Sequence, residues 1–210
     1  MQSRKTVTEG VIKYRLEFVE AVVQVGDIRL LNAWRSILHG MGWLGQDPGR
    51  YSGYGYGNVS QRLDARQSSF LISASQTGGL PVLDASGYTV VESAEFDQMR
   101  VQASGRLKPS SEALSHAMIY RQDAAIGSVL HVHEPRMWHY ALAQGYPASD
   151  PRVGYGSAQM VREVERLYRQ SKLARIGVLV MAGHEDGIIA FGEDTNQAGL
   201  RLLKLYLQAV

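Results

Sequence analysis

Two histidines separated by one residue, His131 and His133 in Ser128-Val-Leu-His-Val-His133, offer a pair of imidazoles at strand spacing. Residues two apart on a strand point to one face, so Val129, His131 and His133 line one side while Leu130 and Val132 line the other. A carboxylate, Glu112, stands upstream in Lys108-Pro-Ser-Ser-Glu112, and a third histidine, His184, follows in Ala182-Gly-His-Glu-Asp-Gly187. Three neutral imidazoles form an open metal site, with coordination positions left for a substrate. A His-x-His pair is also compatible with a plain hydrogen-bonded or exposed pair, and His39, His116 and His139 lack such context. Glu112 reads in two ways: an acid that opposes a helix dipole, or a metal ligand and proton carrier. His116, one helical turn after Glu112, supports it or is a satisfied helix histidine.

A second group of residues suits an anion. Ser110 and Ser111 stand at a helix N-terminus, where free backbone N–H groups and hydroxyls collect negative charge. Asn58 and Ser60 in Gly57-Asn-Val-Ser60 add donors. Thr77 and Gly78, in the Ser75-Gln-Thr-Gly-Gly79 loop, suit a backbone nest.

Elements must position these groups. Helical spacing predicts a helix over 11–25, with Val11, Tyr14, Phe18, Ala21, Val22 and Val25 on one stripe, and a second over 27–41, facing Ile28, Leu31, Trp34, Leu38 and Met41 to the core. The glycine-rich run 51–60 ends that region. Strands are expected at 69–73, 88–91, 100–103 and 129–133, and as a pair at 176–181 and 188–191 that holds His184 in its turn. Helices are expected from Pro109 to about Gln122, from Pro135, from Ser157 as N-cap to 171, and over 195–208. The pattern is α/β, a mixed and largely antiparallel sheet sandwiched by helices, within one domain spanning 1–210.

Composition sets limits. The chain has 210 residues, 45% of them apolar, and no cysteine, which excludes disulfides and thiolate metal ligands. A net charge of +2, with scattered basic residues, gives no nucleic-acid surface, and Arg4-Lys5 is too short to be a binding tract. No apolar run is long enough for a membrane span, and residues 1–10 lack a signal-peptide core. The expectation is a cytoplasmic protein.

In this order, Gly57-Asn58-Val59-Ser60, Phe70-Leu71-Ile72-Ser73, Lys108-Pro109-Ser110-Ser111-Glu112, Ile119-Tyr120, Val129-Leu130-His131-Val132-His133 and Gly183-His184 resemble the class II aldolase/adducin family, from about residue 10 to 205. The resemblance implies a three-layer α/β/α sandwich with a mostly antiparallel sheet. It implies one divalent metal, commonly zinc, on His131, His133 and His184, with Glu112 as a further ligand and proton shuttle. Manganese, cobalt or iron also suit such donors. It implies a phosphate site at Asn58, Ser110 and Ser111, and a homotetramer acting on a small molecule. The implied function is a lyase of carbohydrate metabolism: an aldolase-type cleavage of a hydroxy-carbonyl sugar or sugar phosphate through a metal-stabilised enediolate. An epimerase or dehydratase on the same scaffold is an alternative, and a non-catalytic adducin-like binding module is another. Tyr120 and Tyr206 are candidate second acids. The chain departs from the family in a longer loop at 73–79 and in Glu185-Asp186 after the third histidine, which mark a divergent subfamily.

Overall fold

The computed structural model describes residues 11–210; the readings made for residues 1–10 lie outside the described residues. Eight strands form the main sheet: β1 (Arg15–Glu20), β4 (Asn58–Arg62), β5 (Phe70–Ser73), β6 (Tyr88–Glu95), β7 (Arg100–Gly105), β8 (Ser128–His133), β9 (Val178–Val180) and β10 (Gly187–Gly192). They run in the order β1-β7-β6-β5-β4-β8-β10-β9. All pairings are antiparallel except β1 with β7. The short strands β2 (Gly45–Gln46) and β3 (Gly55–Tyr56) pair separately.

Two helical layers cover the sheet. On one face, α2 (Ala113–Gln122) and α4 (Ala158–Gln170) bury Leu114, Met118, Val161 and Val164 against Phe70, Ile72, Val129 and Ile189. On the other, α1 (Arg29–Gly40), α3 (Pro135–Ala143) and α6 (Thr195–Ala209) bury Leu31, Leu38, Met137 and Leu202 against Val59, Leu71, Leu130 and Ile188. A short α5 (Leu173–Ile176) leads into β9. The result is the expected α/β/α sandwich. Alternation along β8 sends Val129 to one core and Leu130 and Val132 to the other.

Several helices follow local signals. Ser157 caps α4 by accepting from the Met160 N–H at 3.1 Å, and Asp194 caps α6 through the Gln197 N–H at 2.7 Å. Met41, expected in the core, is exposed just past the end of α1. One element differs more deeply. The helix expected over 11–25 is absent, and β1 stands in its place along the β7 edge. Tyr14 and Phe18 fit a helical stripe, but with Leu16 between them they also alternate at period two, and all three pack on the α2 side of the sheet. The exposed edge of β7 satisfies their backbone, a long-range pairing that local spacing does not reveal.

Candidate metal centre and active site

The site grows from β8. His131 and His133 share the face that α2 covers, and both are fully buried. Asn58 of β4 lies directly across the ladder from His131, and Ile189 of β10 flanks it on the other side. His184 comes from the β9–β10 turn, and the ligand nitrogens of His131, His133 and His184 all lie within 4.8 Å of one another. Gly183 lets the turn close, because a side chain there would drive into the carbonyl of Val153. The left-handed residue of the turn is Asp186, at φ 63°.

Glu112 occupies the N-cap position of α2 without capping it. Its side chain enters the site instead, placing Oε2 2.9 Å from His131 Nε2 and accepting from the Asn58 amide at 2.9 Å. The Nδ1–H of His131 is directed at the Ile188 carbonyl, 3.0 Å away. That bond commits Nδ1 as the donor, so the neutral ring presents a lone pair at Nε2. Nε2 faces His133 Nε2 at 3.0 Å as well as the carboxylate. Lone pairs and a carboxylate converging at such distances repel unless a ring proton or a metal cation stands among them. The donor set of nitrogen and oxygen, with one ring already oriented by a carbonyl, fits a divalent metal.

Electrostatics agree with that fit. Burial pushes His133 well below its ordinary range, assisted by the charges of His184, His131 and Arg50, while the Glu185 backbone opposes it. Burial also holds His184 down, to about 3, with Glu112 opposing. Both rings are therefore neutral and ready to donate a lone pair. Burial alone would raise the Glu112 carboxyl, but His131, His184 and the Asn58 amide outweigh it and hold the group to about 2. Glu112 Oε1 and Asn58 Oδ1 are buried without a hydrogen-bond partner.

Asn58, Thr77, Gly78, Ser110 and Ser111 line one small pocket beside Glu112. Its donors are hydroxyls, amides and backbone N–H groups. The Thr77 hydroxyl is spent inside the loop on the Ala74 carbonyl at 2.7 Å. Arg35, buried on α1, clamps that loop by donating to the carbonyls of Thr77 and Leu80, a role its sequence context did not signal. Ser60, grouped with these donors on sequence grounds, lies elsewhere. It is fully buried under α2, 2.7 Å from both His116 Nδ1 and the Tyr120 hydroxyl. Ser60 shares the face of Asn58 but sits two residues deeper along the strand. Tyr120 is thereby engaged away from the histidines, and the Tyr206 ring packs on Trp43 at 5.1 Å.

Tyrosines without a motif of their own adjoin the histidines, among them Tyr56, whose ring lies 5.6 Å from that of His133. The Tyr51 ring meets His133 at 4.6 Å and the Tyr155 ring meets His184 at 4.8 Å. Tyr51 and Tyr155 lie in glycine-flanked runs, the one available signal of close packing there.

Residues 49–206 match the model of the Class II Aldolase and Adducin N-terminal domain. Over 79 residues the chain is 39% identical to a methylthioribulose-1-phosphate dehydratase from Stenotrophomonas maltophilia, covering 37% of this chain and 33% of that protein. A protein of the same description from Xanthomonas campestris is 37% identical over 79 residues, 37% of this chain and 32% of its own length. The match thus spans about a third of these curated relatives. Among solved structures, a sugar-phosphate aldolase from Thermotoga maritima superposes with a TM-score of 0.65 at 17% identity, covering 87% of this chain and 91% of that one. An L-fuculose-1-phosphate aldolase from Thermus thermophilus gives 0.60 at 16% identity, covering 86% and 89%. At these identities the structural likeness concerns the fold.

Proposed function

Because this chain belongs to the class II aldolase and adducin family, we propose that it is a metal-dependent lyase acting on a small hydroxy-carbonyl compound with an anionic group. The observation that carries this reading is the convergence of His131, His133 and His184 within 4.8 Å, with Glu112 at 2.9 Å from His131. These four side chains would hold one divalent cation, zinc by the usual preference of such donors. When bound, that cation supplies Lewis acidity to a carbonyl and its neighbouring hydroxyl.

The chain's own residues do the rest. Glu112, held as a carboxylate, takes the α-proton in an elimination and returns it to the departing hydroxyl, which leaves as water; in an aldol cleavage it takes the proton of the β-hydroxyl as the carbon–carbon bond breaks and returns it to the α-carbon. Asn58 keeps Oε2 of Glu112 oriented through its amide. Ser110, Ser111 and the Gly78 loop receive the anionic group, their neutral donors matching a phosphate without a fixed countercharge. The buried setting excludes water and strengthens each of these contacts.

Two bond cleavages are open to this arrangement. Loss of water from the β-carbon is favoured by the curated relatives, which are named as dehydratases. Carbon–carbon cleavage is supported by the names of the structural neighbours, at lower identity. Retention of all three histidines and Glu112 favours an enzyme over a binding module, which needs none of them. The test is metal analysis of purified protein, followed by product analysis with methylthioribulose 1-phosphate and ketose 1-phosphates. Stoichiometric metal and an eliminated product support the dehydratase reading, and aldehyde release supports aldol cleavage. Protein that retains no metal and turns over neither substrate overturns the proposal.

A further inference from the structure

The Tyr51 side chain occupies an unusual place. Its backbone lies in the left-handed region at φ 47°, and Ser52 follows at 59°. A bulky residue seldom takes this conformation, and it persists where surrounding contacts over-determine it. Those contacts are specific. The Tyr51 hydroxyl donates to Asp186 Oδ2 at 2.7 Å and accepts from an Arg50 terminal nitrogen at 2.7 Å. Arg50 also lies 3.8 Å from Asp186 Oδ2, and its guanidinium carbon lies 4.9 Å from the Tyr51 and Tyr56 rings alike.

The two ends of this cluster reach two different metal-binding elements. The Tyr51 ring packs edge-on against His133, at 4.6 Å and 68°. Asp186 belongs to the turn of His184, and it too is left-handed, at φ 63°. The Asp186 carbonyl accepts from the N–H of Glu134, the residue after His133, at 3.1 Å. Asp186 is therefore no solvated turn acid. It joins the end of β8 to the β9–β10 turn.

We propose that Tyr51, locked between Arg50 and Asp186, is a positioning residue that holds His133 and the His184 turn in one geometry for a divalent metal. The inference rests on the metal reading given above. Its physical content is that of an outer ligand partner: removing it leaves every donor in place but loosens their mutual angles, which weakens metal binding. Y51F keeps the ring against His133 and deletes only the hydroxyl, so it reads the share of the Arg50–Asp186 lock.

The experiment titrates cobalt(II) into the metal-free full chain and follows affinity and the visible ligand-field spectrum. Y51F is expected to weaken cobalt about 10-fold and to shift the spectrum. D186N is expected to do the same, and the double variant to be no worse than either, because both cut one link. Y146F, which removes a hydroxyl bonded to Gln208 far from the site, serves as the control and stays at the wild-type value. Wild-type cobalt affinity and spectrum in Y51F overturn the proposal, as does additive loss in the double variant. A wild-type chain that binds no cobalt overturns the metal reading itself. The histidine ring resonances of the metal-free protein then judge the brace: a shifted His133 signal in Y51F upholds it, and an unchanged one overturns it.

Discussion

His131 and His184 reach the same point by different means. His131 sits in mid-sheet, paired with β4 on one side and β10 on the other, and its direction follows from strand alternation. His184 sits on a turn whose shape depends on a close glycine contact with residue 153 and on a left-handed aspartate. A strand aims a side chain by its regular geometry, whereas a turn needs each of its contacts. His131 should therefore tolerate changes around it, and the turn should not.

The contrast can be broken at several points. The largest effect is expected from replacing His131 and His133 together by Asn, which removes two of three nitrogen donors. Metal retained after dialysis should fall by more than about 100-fold in affinity, beyond what loss of an outer partner produces, while circular dichroism keeps the sandwich. Retained stoichiometric zinc would sink the assignment of these ligands. Next comes Glu112→Gln, which keeps shape and the Asn58 contact. Turnover should drop about 100- to 10,000-fold, the usual contribution of a proton-transferring group. Steady-state kinetics on a cleaved substrate check this, and an unimpaired rate would remove Glu112 from proton transfer.

Gly183→Ala tests the turn. Its methyl group meets the Val153 carbonyl, so the turn must shift, at a cost of about 1–3 kcal/mol. Urea midpoints and zinc affinity should fall together. Unchanged zinc affinity at reduced stability would show that the turn carries no positional demand.

The smallest effect concerns pH. His116 titrates near 6.5 when unfolded, but burial holds it to about 3 in the fold, with Glu112 opposing and His131 assisting. Between those values the unfolded chain binds the extra proton. Stability is therefore fully present above about pH 6.5 and declines as pH falls toward 3. One such group contributes at most about 1.4 kcal/mol per pH unit. His133 and His184, also lowered by burial, act in the same direction in metal-free protein. Replacing His116 by Gln should flatten the slope of urea-derived stability between pH 6.5 and 4 by up to one proton's worth. An equal slope in the variant would show that His116 does not stay neutral in the fold.

Much of the site was legible because its signals are local. Alternation set His131 and His133 on one face, helix-capping chemistry set the start of α4, and two apolar runs framed the turn of His184. Family resemblance added Glu112, which composition alone leaves as a dipole-opposing acid. Ser60 and Asn58 are indistinguishable by alternation, and only their depth beneath α2 sends one to His116 and the other to Glu112. Helical spacing over 11–25 coexists with strand alternation at Tyr14, Leu16 and Phe18, and the free edge of β7 selected the strand.

From sequence alone, this chain specified donors that exclude thiolate, two imidazoles on one strand face, and elements enough for an α/β sandwich, since each follows from residue type and near-neighbour spacing. Tertiary structure alone brought Asn58 opposite His131, set Tyr51 and Asp186 around His133, and took Ser60 out of the anion pocket. Those contacts join residues far apart in the chain, and local periodicity carries no information about which strands become neighbours or how deep along them a side chain lies.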